Sequence, residues 1–210
     1  MKVEVICRND DLNLLLNIKP KKYDESLNNA LTTIGKKQVI SSWKDSLASG
    51  RFKENISEYL EVPVYGCLLD QRSVHLNSID KTIKKIWAIG GDNGWYYANT
   101  LWKIRGFLDK LVGGVGLRRG RTNPYEIHPG DSLDFWRVLY ANKEEKRLLL
   151  FAEMKVPGDA WLEFKIMNNE LIQTATFQPK GILGRLYWYS VLPLHGLVFN
   201  GLINALNKHE

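Results

Sequence analysis

The feature that most constrains this chain lies near its end: from Leu186 to Asn207 there is no formally charged residue. A helix that is apolar nearly all round is either buried within protein or set in lipid. The run reaches the roughly 20 residues that a membrane span requires. It also holds Pro193, His195, Asn200 and Asn204, and amide and imidazole groups are expensive in hydrocarbon. The expectation is therefore a long C-terminal helix packed against a sheet. Pro193, which has no N–H to give the preceding turn, should kink or break it near Leu192. Peripheral membrane contact stays open.

A helix of that kind needs a partner layer, and the segments before it supply one. Residues 134–140, 147–156, 161–167 and 171–178 read as strands joined by turn residues: Asn142-Lys143-Glu144, Pro157-Gly158-Asp159 and Asn168-Asn169. Strands joined by such short turns form an antiparallel sheet. A further strand is expected over 62–76, with an irregularity at Gly66. Two helices should lie between. One starts near Asn77-Ser78, carries the stripe Ile79, Ile83, Ile86 and Trp87, and stops at Gly90-Gly91. The other, about 95–112, repeats Tyr97, Leu101, Ile104, Leu108 and Leu111 at helical spacing, with Arg105 and Asp109 placed to pair on its flank. The fold class is α+β.

Charge selects a register for the hairpin at Pro157-Gly158. Leu148, Leu150, Ala152 and Met154 alternate on one strand and Leu162, Phe164 and Ile166 on the next. Placing Lys155 opposite Glu163 also sets Glu153 opposite Lys165, whereas a two-residue slip would oppose Glu153 and Glu163. The first register is expected, with these carboxylates as solvated cross-strand partners.

Residues 1–60 read differently: a short strand at Val3–Ile6, a helix from Tyr23 to Ile34 with Asp24 and Glu25 in its first turn, and a polar connector over 41–58. They form an appendage to a domain over 61–210. Cys7 and Cys67 are too few for a disulfide framework, and no secretion signal opens the chain, so a cytoplasmic setting is expected. The net charge of +6 argues neither for nucleic acid nor for an anionic surface, and no nucleic-acid partner is expected. Seven tryptophans, six of them after residue 80, point to a large aromatic core or to a cavity walled by rings.

The string Gly90-Gly91-Asp92-Asn93-Gly94-Trp95-Tyr96-Tyr97 leads into Leu101-Trp102-Lys103-Ile104-Arg105-Gly106-Phe107-Leu108-Asp109. Gly113-Gly114-Val115-Gly116-Leu117-Arg118-Arg119-Gly120-Arg121 follows. Later come Gly130-Asp131-Ser132-Leu133-Asp134-Phe135-Trp136-Arg137-Val138 and Ala152-Glu153-Met154-Lys155-Val156-Pro157-Gly158. Over about residues 60–207 this resembles a family of START-like (SRPBCC-type) domains of unknown function. In longer proteins these follow an atypical short-chain-dehydrogenase Rossmann domain. The resemblance implies a helix-grip fold: a curved antiparallel sheet around a long C-terminal helix, often enclosing a ligand cavity. Residues 3–60 resemble the linking tail of such longer proteins. No dinucleotide fingerprint is present, so dinucleotide binding and dehydrogenase chemistry do not carry over, and the family offers no catalytic residues to transfer.

Other chemistry fails on context. The Gly114–Gly120 loop follows a helix rather than a strand, so it does not read as a phosphate loop. Arg118, Arg119 and Arg121 could grip an anion or partner acidic residues. His75, His128, His195 and His209 make no zinc spacing, and no metal or cofactor is expected. Asp131, Asp134 and Glu153 could do acid–base work only if buried together. The reading is binding of an apolar small molecule or lipid between the sheet and the C-terminal helix. Trp95, Trp102, Trp136 and Trp188 would line the cavity and Arg137 or His195 would orient the ligand. The alternative is the substrate-binding portion of an NAD(P)-dependent oxidoreductase, epimerase- or dehydratase-like, working with a Rossmann domain in cis or in trans.

Overall fold

A computed structural model describes residues 11–17, 19–35, 59–116, 121, 123 and 126–208. The chain divides into two compact units, Met1–Val39 and Ile40–Glu210. The first contains α1 (Asp11–Leu15) and α2 (Tyr23–Gly35), the latter where the acidic first turn of Asp24 and Glu25 places it. Leu27 and Leu31 on α2 are exposed. The strand expected at Val3–Ile6, the connector over 41–58, and Trp43 lie outside the described residues.

In the second unit the elements run β1 (Leu68–His75), α3 (Ile79–Ile86), α4 (Asn99–Leu111), β2 (Ser132–Leu133), β3 (Trp136–Asn142), β4 (Arg147–Ala152), β5 (Gly158–Met167), β6 (Glu170–Pro179) and α5 (Gly181–Asn207). The strands form one curved, antiparallel six-stranded sheet in the order β1-β6-β5-β4-β3-β2. The turn chemistry explains the meander. Asn168 and Asn169 hold φ of 49° and 62°, so Met167 pairs directly with Glu170 across a two-residue turn. Asn142 closes the β3–β4 turn by accepting the Glu144 and Glu145 backbone N–H groups at 2.9 and 3.1 Å.

The hairpin register differs from the charge-based expectation. Glu163 lies opposite Leu149, not Lys155, and Lys165 lies opposite Arg147, not Glu153. The strands are offset by six residues, an even number, so Leu148, Leu150, Leu162 and Phe164 still face the same core. The reason is that β4 ends at Ala152 and Glu153 turns inward. Its side chain is fully buried and accepts Arg137 Nη2 at 2.9 Å. Glu153 is therefore a buried ion-pair partner, not a solvated cross-strand one. Glu163 instead pairs diagonally with Arg147 at 2.6 Å.

The sheet buries apolar side chains on both faces. One face carries the main core, including Phe135, Leu150, Phe164, Phe199 and Leu202. A smaller cluster of Leu139, Leu149, Phe151 and Trp161 is covered by Tyr59 and Val62.

Helix α5 packs on β1, β6 and α3. It starts at Gly181, earlier than the uncharged run, and continues unbroken through Pro193. The break expected near Leu192 does not occur. Tyr189, whose carbonyl loses its helical partner, is exposed, so water can satisfy that oxygen. Burial is confined mostly to the second half, at Val198, Phe199, Leu202, Ile203 and Leu206, while Ile182, Leu183, Leu186 and Tyr189 are exposed. By length and composition α5 could cross a membrane. Asn200 and Asn207 nevertheless have protein partners on β1 or just after it. Asn207 donates to the His75 carbonyl at 2.9 Å and accepts the Asn77 N–H at 3.1 Å, and Asn200 accepts from Arg72.

Helix α4 begins at Asn99 rather than near Trp95, because Gly94, Tyr96 and Ala98 hold positive φ and break any helix there. Its buried positions are Trp102, Gly106 and Asp109. Asp109 does not serve Arg105 on the flank. It points inward and accepts the Gly116 and Lys155 backbone N–H groups at 2.8 and 2.7 Å. Gly114 lets the chain close over it, since a Cβ there would lie 2.2 Å from a carboxylate oxygen.

Candidate functional site

Between the sheet and the α4 and α5 helices lies a cavity of about 250 Å³. Its floor is β-structure, where Ala160 and Ala175 leave space that larger side chains would fill. One wall is α4, through Leu101, Trp102, Ile104, Arg105 and Leu108. The opposite wall is α5, through Tyr187, Trp188, Val191, Leu194, His195 and Val198. Ile104, Leu108 and Leu194 line the cavity and are also about half exposed, which places its mouth between the two helices.

The α5 wall follows from helical spacing. Trp188, His195 and Phe199 stand at i, i+7 and i+11, on one face. The His195 ring meets Trp188 edge-on at 5.0 Å and Phe199 at 4.7 Å, and Trp188 stacks on Phe177 at 5.7 Å. Phe199 reaches across to Trp102 of α4 at 6.4 Å. Burial holds the His195 imidazole below its ordinary value, with Asp70 opposing the shift and Arg72 and Arg105 adding to it. The neutral ring is thus favoured. Arg105 stacks over the Tyr187 ring at 5.6 Å. Burial raises the Tyr187 hydroxyl, which keeps its proton.

Of the six residues singled out from sequence, Trp102, Trp136, Trp188 and His195 line the cavity. Trp95 and Arg137 do not. Trp95 packs behind the wall, 5.0 Å from Trp102 and stacked on Phe135, and its indole N–H donates to Asp134 at 2.9 Å. Arg137 is wholly buried, committed to Glu153 and to the Gly130 carbonyl at 2.6 Å. Sequence reasoning missed Arg105, Ile104 and Leu108 as wall residues, although the signal was present. The α4 stripe that reads as a core face is instead the face turned to the cavity and to solvent.

The remaining polar candidates are occupied elsewhere. Arg121 donates to the carbonyls of Trp87, Ile89 and Glu126, and desolvation lowers its guanidinium to about 10. Asp131 accepts the His128 N–H at 2.8 Å. Burial raises the Asp134 carboxyl despite its bond from Trp95. His75 contacts Asn169. Arg118, Arg119 and His209 lie outside the described residues. Among the described residues no group of three acidic, histidine or cysteine side chains could hold a metal.

A fold of this class, an α+β domain with an apolar cavity under its terminal helix, can be set beside known families. Residues 67–202 match the model of the family described as protein of unknown function DUF2867, and the chain belongs to that family. No curated protein matches the chain.

Proposed function

We propose that the protein binds an apolar small molecule or lipid in the cavity between the sheet and α5, in a START-like helix-grip arrangement. The observation that carries this reading is the cavity itself. It is close to the roughly 300–1,000 Å³ typical of ligand pockets, and its walls are aromatic and aliphatic with few polar groups. The antiparallel order of the sheet and the docking of α5 on β1 and β6 support the helix-grip description.

The test is binding of the neutral fluorophore N-phenyl-1-naphthylamine, followed by its emission, together with mass spectrometry of organic extracts of the purified protein. Ala175→Leu fills the floor of the cavity. It should weaken the fluorophore about tenfold or more without lowering the melting temperature, since added methylenes occupy existing space. An unmodified protein that neither brightens the fluorophore nor carries an extractable molecule would end the reading.

A second reading has its own observation. Phe107 and Leu111 on α4 and Ile182, Leu183 and Leu186 on α5 are exposed apolar side chains. The exposed charges on these two helices, Lys103, Lys110 and Arg185, are all basic, and the acidic Asp109 is buried. Apolar side chains ringed by lysine and arginine suit an anionic bilayer surface. The protein should float with phosphatidylglycerol vesicles at low salt, and Leu111→Glu should abolish this. Absence of flotation at low salt excludes the surface contact and leaves the cavity reading untouched.

A further inference from the structure

The donors and acceptors around the cavity are unbalanced. Trp102, Trp136, Trp188 and Arg105, whose side chains carry N–H donors, are among the lining residues, and no carboxylate lines it. Arg105 is its one formally charged residue. Four buried side-chain polar atoms of cavity residues have no hydrogen-bond partner among the described residues: Trp102 Nε1, Trp136 Nε1, Arg105 Nη2 and His195 Nδ1. A buried polar group left unpaired is costly, so folded proteins rarely concentrate several in one place. Here they gather on residues around one space. Trp102 and Arg105 stand one turn apart on α4 and therefore share a face.

Resting on the ligand-binding reading above, we propose that the ligand is an apolar acid: a hydrocarbon body with a single carboxylate, held by Arg105 with the indole N–H groups of Trp102 and Trp136 as further donors. A carboxylate fits because it only accepts, offers about four lone-pair sites, and matches the planar fork of a guanidinium. An amine head would meet Arg105 with no acid to balance it. A hydroxyl head could take one donor but would leave the cation uncompensated. At about 250 Å³ the cavity suits a medium-length chain or a small ring system.

Calorimetric titration of the full chain with decanoate, decan-1-ol and decylamine at pH 8 separates the outcomes. Decanoate should bind at least tenfold more tightly than decanol, with decylamine weakest. Arg105→Gln should bring decanoate to within about twofold of decanol while leaving decanol unchanged, and Arg105→Lys should keep part of the preference. Trp102→Phe keeps a ring but removes the N–H, and should weaken decanoate several-fold with decanol unaffected. Equal affinity for decanoate and decanol, or a preference that survives Arg105→Gln, would overturn the carboxylate assignment while leaving apolar binding intact. Failure of all three ligands to bind would instead remove the binding reading on which this one stands.

Discussion

At the scale of single residues, the side chains that matter most are polar groups whose partners are remote in sequence. Arg137 looks, by type, like a ligand anchor, and Glu153 like a surface charge. Buried together at 2.9 Å they are neither, and breaking such a pair typically costs 3–5 kcal/mol because one charge is stranded. No local pattern announces a pairing across 16 residues of chain. His195 is the opposite case, since a lone imidazole inside an apolar run already reads as a core histidine or a cavity anchor. Its protonated form is disfavoured in the fold, first by burial and then by Arg72 and Arg105, with Asp70 acting the other way. The sign follows from linkage: the unfolded chain takes up the proton more readily. The His195 contribution to stability is full above its ordinary value of 6.5 and is lost as the pH falls through the lower folded value. Urea midpoints at pH 8 and pH 5.5 should show a larger loss on acidification for the unmodified protein than for His195→Asn. Equal losses would mean that the imidazole is not desolvated.

At the scale of elements, turns were the most readable part of the sequence and long-range registers the least. Asn168-Asn169 fixes the β5–β6 turn because both residues tolerate positive φ, and the turn alone then sets the pairing from Met167 and Glu170 onward. The β4–β5 connection has no such device. Its five residues, 153–157, leave the offset open, and the burial of Glu153 with Arg137 outweighed the surface charge pairs. Exposed pairs are worth at most about 1 kcal/mol. The same weighing applies to Pro193. A proline inside a helix costs about 3 kcal/mol or more, yet α5 is continuous, held by its buried second half. Pro193→Ala should therefore raise the unfolding free energy by about 1–3 kcal/mol in urea titrations. A decrease would mean that the proline shapes the helix in a way its substitute cannot.

At the scale of the whole molecule, the α+β class, the antiparallel meander and the terminal helix follow from patterns of period 2 and 3.6 together with turn residues, all of them local signals. Four of the six proposed site residues line one cavity for a related reason: large rings after residue 80 have few places to go in a single core. What the local signals lack is the direction in which an apolar face points. The Leu101–Ile104–Leu108 stripe of α4 has the spacing of a core face, yet it borders the cavity and the solvent, because Trp102, Gly106 and Asp109 took the inward positions. Sequence by itself determined which residues are apolar, where the chain turns, and that an uncharged run of this length must find cover. Only the tertiary structure decided how much cover the run receives, which tryptophans wall the cavity and which stand behind it, and that Arg105 rather than Arg137 brings its charge to the lining. Those outcomes depend on contacts between segments far apart in the chain, where burial and pairing outweigh any preference of the segments alone.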